Sequence, residues 1–131
     1  MCRIVVCGEK DAVMLAKTIC EKTLIVSITN DKNYKVKFPK NKNIHVYRMY
    51  FADVIAGPSA LKEKDARKLW KHISKNIYKY EMVIIHCHKG ESRSAALAGV
   101  IGGYYGIDVQ YTRTPHPNKW VQDCMIKTKT K

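Results

Sequence analysis

At 131 residues and 46% hydrophobic composition, the chain is long enough to bury a core without staples and too apolar to be a disordered tail. No stretch approaches the ~20 apolar residues of a membrane helix, and the N-terminal apolar run is too short for a secretory signal, so a single cytoplasmic domain over residues 1–131 is expected. The 24 basic and 11 acidic residues give a net charge of +13, which favours anionic partners: phosphorylated protein, nucleic acid or acidic lipid head groups.

In chain order, Ile4 to Cys7 reads as a first strand ending at Gly8. From Asp11, the residues Ala12, Leu15, Ala16 and Ile19 recur at helical spacing. Leu24 to Ile28 is a continuous apolar run, as in a strand covered on both faces. The lysine-rich segment from Thr29 to Asn43 predicts a loop, with a short hairpin strand around Lys35 to Phe38. Ile44 to Tyr50 is a strand and Phe51 to Ser59 a loop. Ala66, Leu69, Trp70, Ile73 and Ile77 mark a long amphipathic helix.

Met82 to Ile85 predicts another central strand, and Ser94 to Tyr105 a helix that is apolar nearly all round. Asp108 to His116 reads as irregular. Pro117 suits the first turn of a last helix over Asn118 to about Ile126, and residues 127–131 read as a fraying basic tail. The alternation predicts an α/β sandwich with a largely parallel sheet.

The five cysteines (Cys2, Cys7, Cys20, Cys87, Cys124) are odd in number and contain no Cys-x-x-Cys, which points to reduced thiols rather than a disulfide framework. Zinc held by Cys2, Cys7 and a histidine is conceivable, but the spacing fits no closed four-ligand pattern, so no metal or cofactor is expected.

The informative stretch is Val83-Ile-Ile-His86-Cys87-His88-Lys89-Gly90-Glu91-Ser92-Arg93-Ser94. A Cys-x5-Arg spacing alone means little, but this one follows a buried strand and opens a helix. A loop in that position aims several backbone N–H groups at one spot, and residues 88–93 (His88, Lys89, Gly90, Glu91, Ser92, Arg93) are read as a phosphate cradle. Gly90 permits the tight turn. The helix dipole, the amides and Arg93 all favour the Cys87 thiolate, which comparable sites bring to a pKa of roughly 3.5–7.5. Arg93 offers a planar fork to two phosphate oxygens. Ser94 can donate a hydrogen bond to the sulfur, and His86 orders the loop.

These residues resemble the His-Cys-x-x-Gly-x-x-Arg-Ser/Thr signature of the protein tyrosine phosphatase superfamily. The Ser92-Arg93-Ser94 ending and the short chain resemble the compact dual-specificity branch found in bacteria and their viruses. The likeness is strongest over residues 82–105 and extends more weakly to the Leu24–Ile28 strand and to Pro117-Asn118. It implies a phosphatase that works through a phosphocysteine on Cys87, with phosphotyrosine, phosphoserine or phosphothreonine protein as substrate. It also implies a general acid on a separate loop, an Asp a few tens of residues before the Cys. Asp53 fits that separation; Asp31 lies much further upstream, and Asp65 falls on the helix.

Glu91 would put a carboxylate at the pocket rim, where phosphoinositide phosphatases of the superfamily tend to carry Lys, with Lys89 partly offsetting it. The chain also looks too short for the phosphotyrosine-recognition loop of the larger relatives, which implies a shallow pocket. A rival enzyme reading is removal of phosphate from an RNA 5′ end, with Lys35, Lys37, Lys40 and Lys42 interleaved by Tyr34 and Phe38 along the nucleic acid. A rival of another class is a non-catalytic phospho-binding module. Rhodanese-type sulfurtransferases and arsenate reductases also use a loop cysteine, but the Gly90 and Ser-Arg-Ser spacing suits a phosphatase better, and Cys124 does not clearly supply the second cysteine that arsenate reduction needs.

Overall fold

The computed structural model describes residues 2–129. Five strands, β1 (Arg3–Gly8), β2 (Thr23–Thr29), β3 (Ile44–Tyr50), β4 (Met82–Cys87) and β5 (Val109–Tyr111), form one sheet in the order β3-β2-β4-β1-β5. Every pairing in it is parallel. The apolar runs explain the centre of this order. All seven residues of β2 and all six of β4 are buried, as expected of strands covered by helices on both faces. Fully burying one Val, Leu or Ile side chain contributes about 1.5–3 kcal/mol, so these two strands anchor the fold.

Helix α1 (Glu9–Ala16) covers one face, where Ala12 and Ala16 pack with Val5, Cys7, Ile25 and Ile84. The opposite face carries α2 (Glu63–Asn76), α3 (Arg93–Tyr105) and α4 (Lys119–Lys129), whose Leu69, Ile73, Leu97, Ile101 and Met125 meet Ile4, Val26, Val83 and Ile85. Trp70 fixes α2 to α4 by donating its indole N–H to the Met125 carbonyl at 2.9 Å. Among the described residues no helix is long and apolar enough to cross a membrane.

Five local expectations are corrected. Residues 35–38 form no strand: β3 already occupies the edge beside β2, and the segment is held instead by buried Val36 and by Phe38 packing edge-on to His86. The first helix starts two residues earlier and stops at Ala16, because the chain turns out of β1 at Gly8 and the Glu9 N–H bonds the His88 carbonyl. Within residues 108–116 the chain adds β5 to the sheet, pressed so closely on α3 that a Cβ at Gly102 would lie 2.6 Å from Val109 Cγ2. Pro117 lies before the last helix rather than in its first turn. Asn118 caps α4, its Oδ1 accepting the Val121 N–H at 3.0 Å.

The helix also runs beyond Ile126 to Lys129. Thr128 is buried and donates to the Cys124 carbonyl at 2.8 Å, and Lys129 lies over the rings of Trp70 and Tyr104. Residues 130 and 131 of the expected frayed tail lie outside the described residues.

Candidate active site

Parallel strands bring all their carboxyl ends to one edge, where α/β proteins bind ligands. Here that edge gathers Glu9 after β1, Asn30 and Asp31 after β2, Phe51 to Asp53 after β3, and Cys87 at the end of β4. Glu9, Asn30, Asp31, Tyr34, Asp53, His88 and Arg93 line a cleft of about 540 Å³.

The loop from Cys87 to Arg93 is shaped by what it packs against. Gly90 has φ +77°, and a Cβ there would sit 2.4 Å from the Cys7 carbonyl carbon and 2.5 Å from the Gly8 nitrogen. No other residue satisfies both the left-handed backbone and that approach. On the other side, the His116 N–H donates to the Glu91 carbonyl and the Asn118 N–H to the Ser92 carbonyl.

Cys87 is 3% exposed, and its Sγ lies 3.1 Å from Ser94 Oγ. Burial pushes the thiol up. The Ser94 hydroxyl, the backbone N–H groups of Ser94 and Gly90, and the Arg93 charge outweigh it, so the thiol titrates below its usual 9.0. Cys7 behaves oppositely: burial, then Asp11 and Cys87, push it up to about 12. Thiolate is the form that alkylates, so iodoacetamide should label Cys87 with a pH midpoint below 9.0 while Cys7 stays inert. Ser94→Ala removes a donor to the thiolate and should move that midpoint upward; a midpoint that stays put would remove Ser94 from the role. Peptide mapping reads each cysteine separately.

Arg93 is the main electrostatic feature. Its guanidinium is buried, with Nη1 donating to Asn30 Oδ1 at 2.8 Å and to the Phe51 carbonyl at 2.9 Å. Nε has no partner, and no carboxylate lies within ion-pair distance among the described residues. A buried cation without a counter-charge is costly unless an anion completes it.

Asp53 approaches this loop. Its Oδ1 accepts from Ser92 Oγ and from Asn118 Nδ2, both at 2.8 Å, which leaves Oδ2 available to the cleft. Asp31 lines the same cleft, with its Oδ1 taken by the Asn33 N–H. Asp65 lies in the first turn of α2, facing a separate small cleft with Tyr47 and Lys68. His86 is buried between strands. Its Nδ1–H donates to the Cys87 carbonyl at 3.1 Å, so Nε2 accepts from the Ser27 hydroxyl at 2.7 Å. Burial lowers its pKa, so the ring is a neutral brace.

Two expectations about the loop change. The Glu91 side chain is not at the rim: it pairs with Arg113 at 3.2 Å and lines a second cleft, so only its backbone can serve the cradle. Lys89 is exposed and does not line the cleft. The rim carboxylates are Glu9, Asp31 and Asp53 instead. Nor do Cys2 and Cys7 converge on a metal, since they pack into cores on opposite faces of the sheet. Sequence reasoning missed Asn30, which aims Arg93, the Ser27–His86 bond, and the part Asn118 plays in holding Asp53. Asn30 carried a usable signal, being the polar residue just past the end of a parallel strand.

This is the fold of the dual-specificity phosphatases. Human DUSP28 superposes with a TM-score of 0.66 over 97% of this chain and 91% of that one, at 14% identity. A mouse dual specificity phosphatase solved with zinc tungstate gives 0.61 over 94% and 79%, at 13% identity. A human tyrosine phosphatase-like serine/threonine/tyrosine-interacting protein gives 0.57 over 82% and 76%, at 19% identity. No protein-family model matches the sequence, and no curated protein does.

Proposed function

We propose that the protein is a cysteine-dependent phosphatase of the dual-specificity type, hydrolysing phosphomonoesters on protein tyrosine, serine or threonine. The observation that carries this reading is the buried Arg93, uncompensated and with a free Nε–H, beside a thiol of lowered pKa. The arrangement would hold a phosphate dianion by Arg93 and the loop amides, with phosphorus against Cys87 Sγ.

In the first step Sγ bonds to phosphorus as the ester P–O bond breaks, and Asp53 gives a proton to the leaving oxygen. In the second, the Asp53 carboxylate takes a proton from water, whose oxygen displaces the sulfur from phosphorus and releases inorganic phosphate. The Ser94 hydroxyl, already at hydrogen-bond distance from Sγ, stabilises the departing thiolate. Five free cysteines suit a reducing, cytoplasmic setting.

The non-catalytic alternative has one support, since a structural neighbour is described as phosphatase-like and interacting. Cys87, Arg93 and Asp53 are all present here, which favours catalysis. The leaving group separates the two. Asp53→Asn should lower turnover of a phosphoserine or alkyl phosphate by ~10²–10⁴. An activated aryl phosphate, which leaves without protonation, should be much less affected. Equal losses on both would make Asp53 a structural residue, and no turnover of either by the native protein would sustain the binding-module reading.

A further inference from the structure

We propose that Glu9 and Asp31, braced by Tyr34, select phosphoesters carried on neutral or basic peptide segments and turn polyanions away. This rests on the phosphatase reading and concerns its substrate class. The net charge of +13 suggests the reverse, a site for polyanions, but the charge is not distributed that way. Of the side chains lining the cleft, three are carboxylates, Glu9, Asp31 and Asp53, and only Arg93 is a fixed cation. Lys32, Lys35, Lys37, Lys40 and Lys42 are absent from its lining.

Arg93 and the loop amides match one phosphate. A second phosphate, or an acidic residue next to the phosphorylated one, would meet Glu9 and Asp31 at close range, while Lys or Arg there would pair with them. A cleft of this volume spans roughly 10 Å, about one Debye length at physiological salt. The rim carboxylates therefore lie within the range over which charges still act on a bound substrate.

The rim is also held in place, which distinguishes it from a set of mobile acids. The Tyr34 hydroxyl donates to Glu9 Oε2, and the Glu9 N–H bonds the His88 carbonyl of the phosphate loop. The stretch from Thr29 to Tyr34 is folded on itself. Thr29 Oγ1 donates to the Tyr34 carbonyl at 3.0 Å, Tyr34 N–H to the Asp31 carbonyl at 3.2 Å, and Asn33 N–H to Asp31 Oδ1 at 2.8 Å. Glu9 and Asp31 thus keep their positions relative to the loop that grips the phosphate.

The test uses phosphotyrosine peptides of equal length whose flanking residues are all Lys or all Glu, together with an RNA oligonucleotide bearing a 5′-triphosphate. The lysine-flanked peptide should show kcat/KM at least ~10-fold above the glutamate-flanked one at 0.15 M salt, with the RNA a poor substrate. Glu9→Gln combined with Asp31→Asn should bring that ratio near one. Reversing Lys37 and Lys40 to Glu should shift it less than ~2-fold. A ratio that ignores the Glu9/Asp31 substitutions, or a preference for the acidic peptide or the RNA, would overturn the proposal. Binding of the same peptides to Cys87→Ser isolates the rim from the chemistry. The charge preference should persist there, and its absence counts against the rim alone, whereas failure of the native protein to hydrolyse any phosphoester counts against the phosphatase reading.

Discussion

Replacing Cys87 by Ser should abolish hydrolysis of every phosphoester, by more than ~10⁴-fold in kcat, while leaving phosphate and tungstate binding intact. The expectation follows from which features the substitution removes and which it spares. A serine hydroxyl in that position is far less ionised than a thiol whose charge is stabilised by Ser94, Gly90 and Arg93, so the nucleophile is lost. The cradle is not: Gly90 is fixed by its contact with β1, and Arg93 by Asn30 and the Phe51 carbonyl. Calorimetry with tungstate and turnover of an aryl phosphate make the measurement. Cys7→Ser, Cys20→Ser and Cys124→Ser should each keep turnover, because Cys87 alone of the five cysteines has an Arg six positions on and so alone opens the loop that Arg93 closes. Residual turnover in Cys87→Ser near the native rate would move the nucleophile elsewhere and end the mechanism.

The residues proposed to react could be picked out in the sequence because their requirements are local. Cys87, Gly90, Arg93 and Ser94 share one strand-loop-helix passage, and each residue type answers a need of that passage: a thiol, a left-handed turn, a fork, a donor to sulfur. The central strands were equally readable, since β2 and β4 are uninterrupted apolar runs. What was not legible depends on pairings between distant segments. β5 is three residues long, with Gln110 and Tyr111 exposed, so it has no periodicity to detect and exists only through β1. The end of α4 was misjudged because its lysines look like a solvated tail, whereas Lys129 rests on two rings and Thr128 bonds back into the helix.

The charge at the mouth of the site was misread for the same reason. Glu91 is in the loop by sequence, but Arg113, on the segment that closes over it, draws its side chain into another cleft. Glu9 and Asp31 occupy the rim because β1 and β2 both end at that edge of the sheet. Local motif reading therefore located the residues of the loop better than the surroundings a ligand would meet.

Those surroundings give Arg93 two tasks, and the conservative replacement separates them. Nη1 is committed to Asn30 and to the Phe51 carbonyl, which fixes the plane of the guanidinium, while Nε is left for a ligand. Arg93→Lys keeps the positive charge near Cys87 but offers a single shorter ammonium. That group cannot satisfy Asn30, the Phe51 carbonyl and two phosphate oxygens together. Losing oriented donors to a transition state typically costs ~10²–10³ per donor, so kcat/KM for an aryl phosphate should fall by about 10³. Tungstate affinity should weaken as well, because the fork contacts ground state and transition state alike. Asn30→Ala leaves the guanidinium and its Phe51 contact in place and frees only part of Nη1. Its loss should be smaller, about 10-fold, and Asn30→Asp should not restore it, because a carboxylate there would pair with the guanidinium and repel a phosphate in the cleft. If Arg93→Lys turned over substrate within a few-fold of the native rate, the buried guanidinium would be a packing element and the phosphate would have to be held by the loop amides alone.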